Sequence, residues 1–192
     1  MRSTQTNIFD QLQTTSQKRE QKRRLTHGGS LAKGKRKSRR PLSTKKWIHL
    51  TLKSHKAKGA YSMLAPKNAK WIDQLVRTKA KKFRVDLKDY VNMGNHLHFQ
   101  IRIAKRESFQ NFLRSITNLI ARHVTGARKG KPFGKFWQDL AYTRVLMSFL
   151  ELTQLQYYFT GNEVERRSGY QARKRYLNSA NVYIQRLRLG IT

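Results

Sequence analysis

Two runs in which apolar and polar residues alternate, Phe83 to Leu87 and His96 to Ile103, stand on either side of Met93-Gly94-Asn95. Successive side chains of a strand point to opposite faces, and glycine accepts the positive φ of a tight connection. The stretch therefore reads as an antiparallel hairpin. Its second strand sends Leu97, Phe99, Ile101 and Ile103 into a core. His96 and His98 then share the opposite face, about 6–7 Å apart along the strand. Two imidazoles so placed suit either one metal ion or a solvated sheet surface.

The neighbouring patterns extend this hairpin into a fold. Trp47-Ile48-His49-Leu50-Thr51-Leu52 alternates as a first strand, with His49 on the side opposite Ile48 and Leu50. Pro66 opens a helix carrying Trp71, Ile72, Leu75 and Val76 at three- and four-residue spacing. Glu107 to Thr125 presents a broad apolar stripe through Phe109, Phe112, Ile116 and Ile120 and reads as a core helix. Phe136 to Val145 supplies a fourth strand, and Leu146 to about Gly161 a last helix. Strand, helix, strand, strand, helix, strand is the ferredoxin-like order. The fold class is α+β, an antiparallel sheet with helices on one face and the histidine face open.

Around this central unit, residues 45–164, lie two basic segments. Residues 1–44 read as a flexible arm with a short helix between Phe9 and Leu25, and residues 165–192 as an extension in which cations and tyrosines interleave. The 192 residues hold 42 Lys and Arg against 10 Asp and Glu, a net charge of +32 that attracts polyanions, nucleic acid first among them. Candidate phosphate contacts are Arg36, Lys37, Arg39 and Arg40 in the arm, and Lys53 and Lys56 after the first strand. Arg128, Lys129, Lys131 and Lys135 in a glycine-rich loop, and Arg173 and Arg175 beyond, complete the set. Aromatic faces beside such cations suit unpaired bases, or else pack a C-terminal helix on the core. Gly29 to Lys35 resembles a phosphate loop only superficially, because Arg36 stands where a hydroxyl should hold magnesium. With no cysteine, disulfides and thiolate metal sites are excluded. No apolar run is long enough to span a bilayer and the N-terminus has no apolar signal core, so a cytoplasmic, nucleoid-associated protein is expected.

Tyr158 and Asn162 stand four apart on the last helix and so share a face. If that helix lies over the histidine face, a phenol and an amide approach His96 and His98. Otherwise Tyr158 is a core aromatic and Asn162 a helix-end residue. The adjacent phenol, Tyr157, points about 100° away.

In order and spacing, Met93-Gly94-Asn95-His96-Leu97-His98-Phe99, Phe136-Trp137-Gln138 and Tyr158-Phe159-Thr160-Gly161-Asn162 resemble the single-tyrosine HUH transposases. With the basic arm and Trp47 to Leu52, the likeness is greatest to the REP-associated tyrosine transposases, the REP-element-mobilising, IS200-like group. It implies His96, His98 and Asn162 as ligands of Mg2+ or Mn2+, and Tyr158 as the catalytic nucleophile. It implies an endonuclease and strand transferase acting on single-stranded DNA beside a hairpin, through a 5′-phosphotyrosine link, as a monomer or homodimer. The sequence departs from the pattern at Glu163, where proline is common after the asparagine. A non-catalytic, domesticated DNA- or RNA-hairpin-binding protein is the alternative expectation.

Overall fold

The computed structural model describes residues 15–36 and 38–189. The elements are α1 (Thr15–Arg24), β1 (Thr26–His27), β2 (Ile48–Lys53), α2 (Pro66–Lys82), β3 (Val85–Asn92), β4 (His96–Ile103), α3 (Arg106–Thr125), β5 (Tyr142–Val145) and α4 (Phe149–Arg188). Among the described residues five strands make one antiparallel sheet in the order β1-β5-β2-β4-β3. The four strands after β1 thus lie fourth, first, third, second, the ferredoxin-like arrangement that the element order implied.

One face of the sheet is sealed by α2 and α3. Ile48, Leu50, Leu97, Phe99 and Ile101 are fully buried against Ile72, Val76, Phe112, Ile116 and Ile120. Pro66 occupies the first turn of α2, where no backbone N–H is needed. Gly126 ends α3 at φ 70°, in the left-handed cap. Of the expected fourth strand only Tyr142–Val145 pairs. Residues 136–141 are tied to the end of β2 instead: Ser54 Oγ donates to the Phe136 carbonyl (2.6 Å) and Gln138 N–H to the Lys53 carbonyl (2.9 Å).

The other face is not open, as the sequence pattern implied, but covered by α4. A register shift between Leu87 and Asp89 on β3 contributes to this. Before it, Val85 and Leu87 pair with Ile103 and Ile101 and face α2 and α3. After it, Tyr90 and Asn92 take that side, while Asp89 and Val91 cross over to pair with Gln100 and His98. A bulge reverses strand parity in this way. Val91 thereby joins Leu146, Leu155 and Phe159 in a second core between sheet and α4. Phe159 is 1% exposed. Phe159→Ala is expected to cost roughly 3–5 kcal/mol, the usual price of emptying a buried phenylalanine site. A urea midpoint within error of the parent's would show that α4 is not seated there.

Ser148 and Glu151 start α4: the Ser148 hydroxyl accepts the Glu151 N–H (3.2 Å) and the Glu151 carboxylate accepts the Met147 N–H (2.7 Å). Glu151 also pairs with Arg144 on β5 at 3.1 Å, fixing the helix start to the sheet. The helix does not end near Gly161. It runs past Asn162 to Gly169, whose φ 82° and ψ 174° lie in a region essentially reserved for glycine. There the chain doubles back, so that Tyr157 meets Tyr176 and Tyr183 at ring centroid distances of 6.3 and 6.1 Å. Gly161 admits the close approach, since a Cβ there would meet Leu177 at 3.0 Å. The expected extension is thus, from Gly169 through Leu189, the return arm of a helical hairpin.

The arm, too, is partly built in. Thr26 and His27 pair with Arg144 and Thr143, and Arg40 Nη1 donates to the Ala141 carbonyl and the Thr143 hydroxyl, both at 2.7 Å. The first part of the expected helix, and Lys37, lie outside the described residues.

Candidate active site

Strand parity brings His96, His98 and Gln100 from β4 and His49 and Thr51 from β2 to the α4 face, with Thr51 opposite His98 and His49 opposite Gln100. His98 is the centre of the group. Its Nδ1 lies 3.1 Å from His49 Nε2 and 3.2 Å from the Thr51 hydroxyl, which itself lies 3.1 Å from His49 Nε2. A contact between two imidazole nitrogens needs one N–H. With that proton on His98 Nδ1, the lone pair of Nε2 is turned outward. There the Tyr158 hydroxyl stands 3.4 Å away, its ring perpendicular to the imidazole at a centroid distance of 5.2 Å. His96 packs edge to face on His98 at 4.7 Å and is held through Nδ1 by the Asn95 side chain.

Tyr158 reaches this point because Leu155 and Phe159, on either side of it in α4, are anchored in the second core. Tyr158 is half-buried. Asn162, one turn on, is 1% exposed, and neither its amide oxygen nor its nitrogen has a protein partner. Gln100, fully buried, is likewise without a partner at either atom. Unpaired buried amides are costly and invite a ligand.

Burial is the main force on the three imidazoles. It pushes His98 down to about 2, with His49, His96 and Arg173 adding positive charge, and His49 down to about 3, with Arg144 adding. His96 is lowered in the same sense by burial and then Lys53. All three are therefore neutral at pH 7, the state in which imidazole binds a cation. The linkage has a definite sign. An unfolded histidine takes up a proton near pH 6.5 while the folded one does not, so this stability is whole above about 6.5 and declines as the pH falls. For His98 the loss from pH 7 to pH 5 is expected to reach about 2 kcal/mol, with His49 acting in the same direction. Denaturant midpoints that coincide at pH 7 and pH 5 would place these rings in water.

Among the described residues no three His, Cys, Asp or Glu side chains are grouped to hold a metal ion. The donor set expected from sequence, two imidazoles and an amide oxygen, fits a divalent cation nonetheless. Its nitrogens are uncharged, and the Asn162 oxygen is buried and unsatisfied. Glu163 is directed away from the histidines. It lines a cavity of about 260 Å3 with Asp73, Arg77 and Tyr90, and its charge bears on Asp89, whose carboxyl is raised first by burial. Tyr157 faces the return arm rather than the histidines.

Arg173, on that return arm, lies over the Tyr158 ring with its Cζ 5.4 Å from the centroid and is held by the Glu165 carboxylate. Arg36, Arg39, Lys53, Lys56, Arg128, Lys129, Lys131, Lys135 and Arg175 are exposed. Arg40 is different: its guanidinium holds the arm to β5 and lies over Phe109, and burial, then Arg106, lower it to about 10. Strand alternation in the sequence already puts His49 and Thr51 on the side away from Ile48 and Leu50, but their contacts with His98, and Gln100 as its neighbour, escaped the sequence reading of the site. For Gln100 the signal was available, since it continues the two-residue spacing of His96 and His98.

No protein-family model matches this chain, and no curated protein does. Among solved structures it is similar to a REP-associated tyrosine transposase bound to a REP hairpin, with a TM-score of 0.55 and 12% identity over 71% of this chain and 77% of the other. It is also similar to a protein of Deinococcus radiodurans provisionally named a transposase, with a TM-score of 0.41 and 18% identity over 67% of this chain and 98% of that one. The chain thus shares the fold of the REP-associated tyrosine transposase, and at 12% identity the likeness is one of fold.

Proposed function

We propose that this protein is a transposase-type enzyme that nicks and rejoins single-stranded DNA, with Tyr158 as the nucleophile. The observation that carries the reading is the Tyr158 hydroxyl 3.4 Å from His98 Nε2, beside His96 and within one chain. Its phenol oxygen attacks the phosphorus of a phosphodiester and its proton passes to water. The bond from phosphorus to the 3′-oxygen breaks, and that oxygen leaves as a 3′-hydroxyl after taking up a proton. A 5′-phosphotyrosine link remains, and attack on it by another 3′-hydroxyl restores the phenol and a continuous strand. No nucleotide is hydrolysed, because the phosphodiester energy is kept in the link.

His96, His98 and Asn162 are the residues to hold Mg2+ or Mn2+, which when bound withdraws charge from the phosphoryl oxygen. His49 and Thr51 fix the tautomer and orientation of His98 from behind. Arg173, held by Glu165 over the Tyr158 ring, brings a cation to the place where the phosphate must sit. The meeting of tyrosine and histidines within one chain supports a monomer as the cleaving unit. Substrate is a hairpin-bearing strand, the class of ligand in the solved structure of similar fold. Among the described residues no helix is long and apolar enough to cross a membrane.

The test is incubation with hairpin-bearing single strands and Mn2+, followed by denaturing electrophoresis. A covalent protein–DNA adduct together with a free 3′-hydroxyl fragment is the expected result. Cleavage with no adduct would rule out the tyrosine route.

A further inference from the structure

We propose that the unpaired DNA strand entering the candidate active site is held along a cationic groove on the outer flank of α3, on the far side of the sheet from Tyr158. The proposal rests on the nicking reading for the strand's destination, but not for the groove itself. Three cavities of about 400, 610 and 380 Å3 lie end to end between α3, the end of the arm and residues 127–141. The first two share Arg114 and Trp137 as walls, and the second and third share Asn118 and Gly134. Together they are lined by nine Lys or Arg residues and one acid, Asp139. The groove opens at Lys53, which stands opposite His96 in the ladder of β2 and β4. A strand leaving the histidines around that end of the sheet therefore runs directly into it.

Charge alone would not single this surface out on so basic a chain. Shape and aromatic lining do. Trp137 is held by its indole N–H donating to the Thr117 carbonyl at 2.9 Å and walls the first two cavities. Phe133 lines the third, with the Lys56 ammonium 5.1 Å from its ring centroid. Aromatic faces stack on bases only where the bases are unpaired, while the cations follow the phosphates. From Arg106 to Arg122 the helix covers about 24 Å, the length of about seven stacked nucleotides at roughly 3.4 Å each.

The experiment measures binding of a fluorescent single-stranded DNA oligonucleotide by anisotropy across a salt series. The full chain carries Tyr158→Phe and no divalent ion is added, so that cleavage plays no part. Arg114→Ala and Lys135→Ala, both at exposed positions, are each expected to weaken binding several-fold. Each should also lessen the slope of log affinity against log salt by about 0.7, the release expected for one phosphate contact on a single strand. Lys81→Ala, on α2 and outside the groove, should leave both unchanged. A duplex of equal length should bind more weakly, because its bases cannot stack on Trp137 and Phe133. Groove variants that behave like Lys81→Ala, a duplex that binds as tightly as the single strand, or an RNA of the same sequence that binds more tightly would each overturn the proposal. Failure of the protein with Tyr158 intact to form a covalent adduct, with these affinities unchanged, would count against the nicking reading and leave the groove standing.

Discussion

Tyr158→Phe is expected to abolish the covalent protein–DNA adduct and to lower strand cleavage by a factor on the order of 10³ or more, the scale seen when a nucleophile is removed. The substitution is narrow. Phenylalanine keeps the ring that lies under Arg173 and against Phe159, so the second core and the helical hairpin should survive. Only the hydroxyl near His98 Nε2 is lost. Tyr157→Phe provides the contrast, because its ring packs on Tyr176 and Tyr183 and its phenol cannot reach the same phosphorus without unwinding α4. That variant should form the adduct at close to the parental rate. Undiminished adduct from Tyr158→Phe, or loss confined to Tyr157→Phe, would move the nucleophile to the neighbouring position.

The second large effect is expected at His98. Its replacement by alanine removes the imidazole nitrogen facing Tyr158 and one of the two candidate nitrogen ligands. If a divalent ion supplies several kcal/mol of charge stabilisation, cleavage should fall by a factor on the order of 10²–10³. Binding of the oligonucleotide should change by less than about twofold, because phosphate contacts from cations elsewhere provide the affinity. The polar groups left behind are not stranded, since the Thr51 hydroxyl and His49 Nε2 already lie within 3.1 Å of each other. A Mn2+ titration read by electron paramagnetic resonance separates the two roles. Metal affinity should drop in His98→Ala and persist in Tyr158→Phe. Equal loss of binding and cleavage, with Mn2+ affinity unchanged, would make the histidine pair part of the scaffold.

The shared faces of the candidate site residues were legible for a simple reason, although their choice as a site came from the family resemblance. His96 and His98 lie two apart on a strand whose alternate positions are apolar, and Tyr158 and Asn162 lie one helical turn apart. Such periods are local properties of the backbone, so each pair could be assigned a common face before any tertiary contact was known. The same holds for α2, α3 and the hairpin of β3 and β4. Two features resisted. The parity of β3 reads as continuous from Val85 to Val91, yet the register shift at Leu87/Asp89 sends Val91 to the opposite face. Gly169 carries no local sign of a reversal, because Tyr170 and the basic residues after it are as compatible with one long helix as with two antiparallel ones. Both depend on what a distant segment offers to pack against.

Sequence by itself determined the order of the elements, the strand that carries the histidines and the helix that carries the phenol, because hydrophobic periodicity is written residue by residue. Tertiary structure alone decided that the two come together. The bulge places Val91 under Leu155 and Phe159, this helps to seat α4 across the histidine face, and His49 and Thr51 from another strand orient the ring that Tyr158 meets. Burial between those layers is also what keeps the imidazoles uncharged, since removal from water penalises the protonated form, and at His98 the neighbouring His49, His96 and Arg173 act in the same direction.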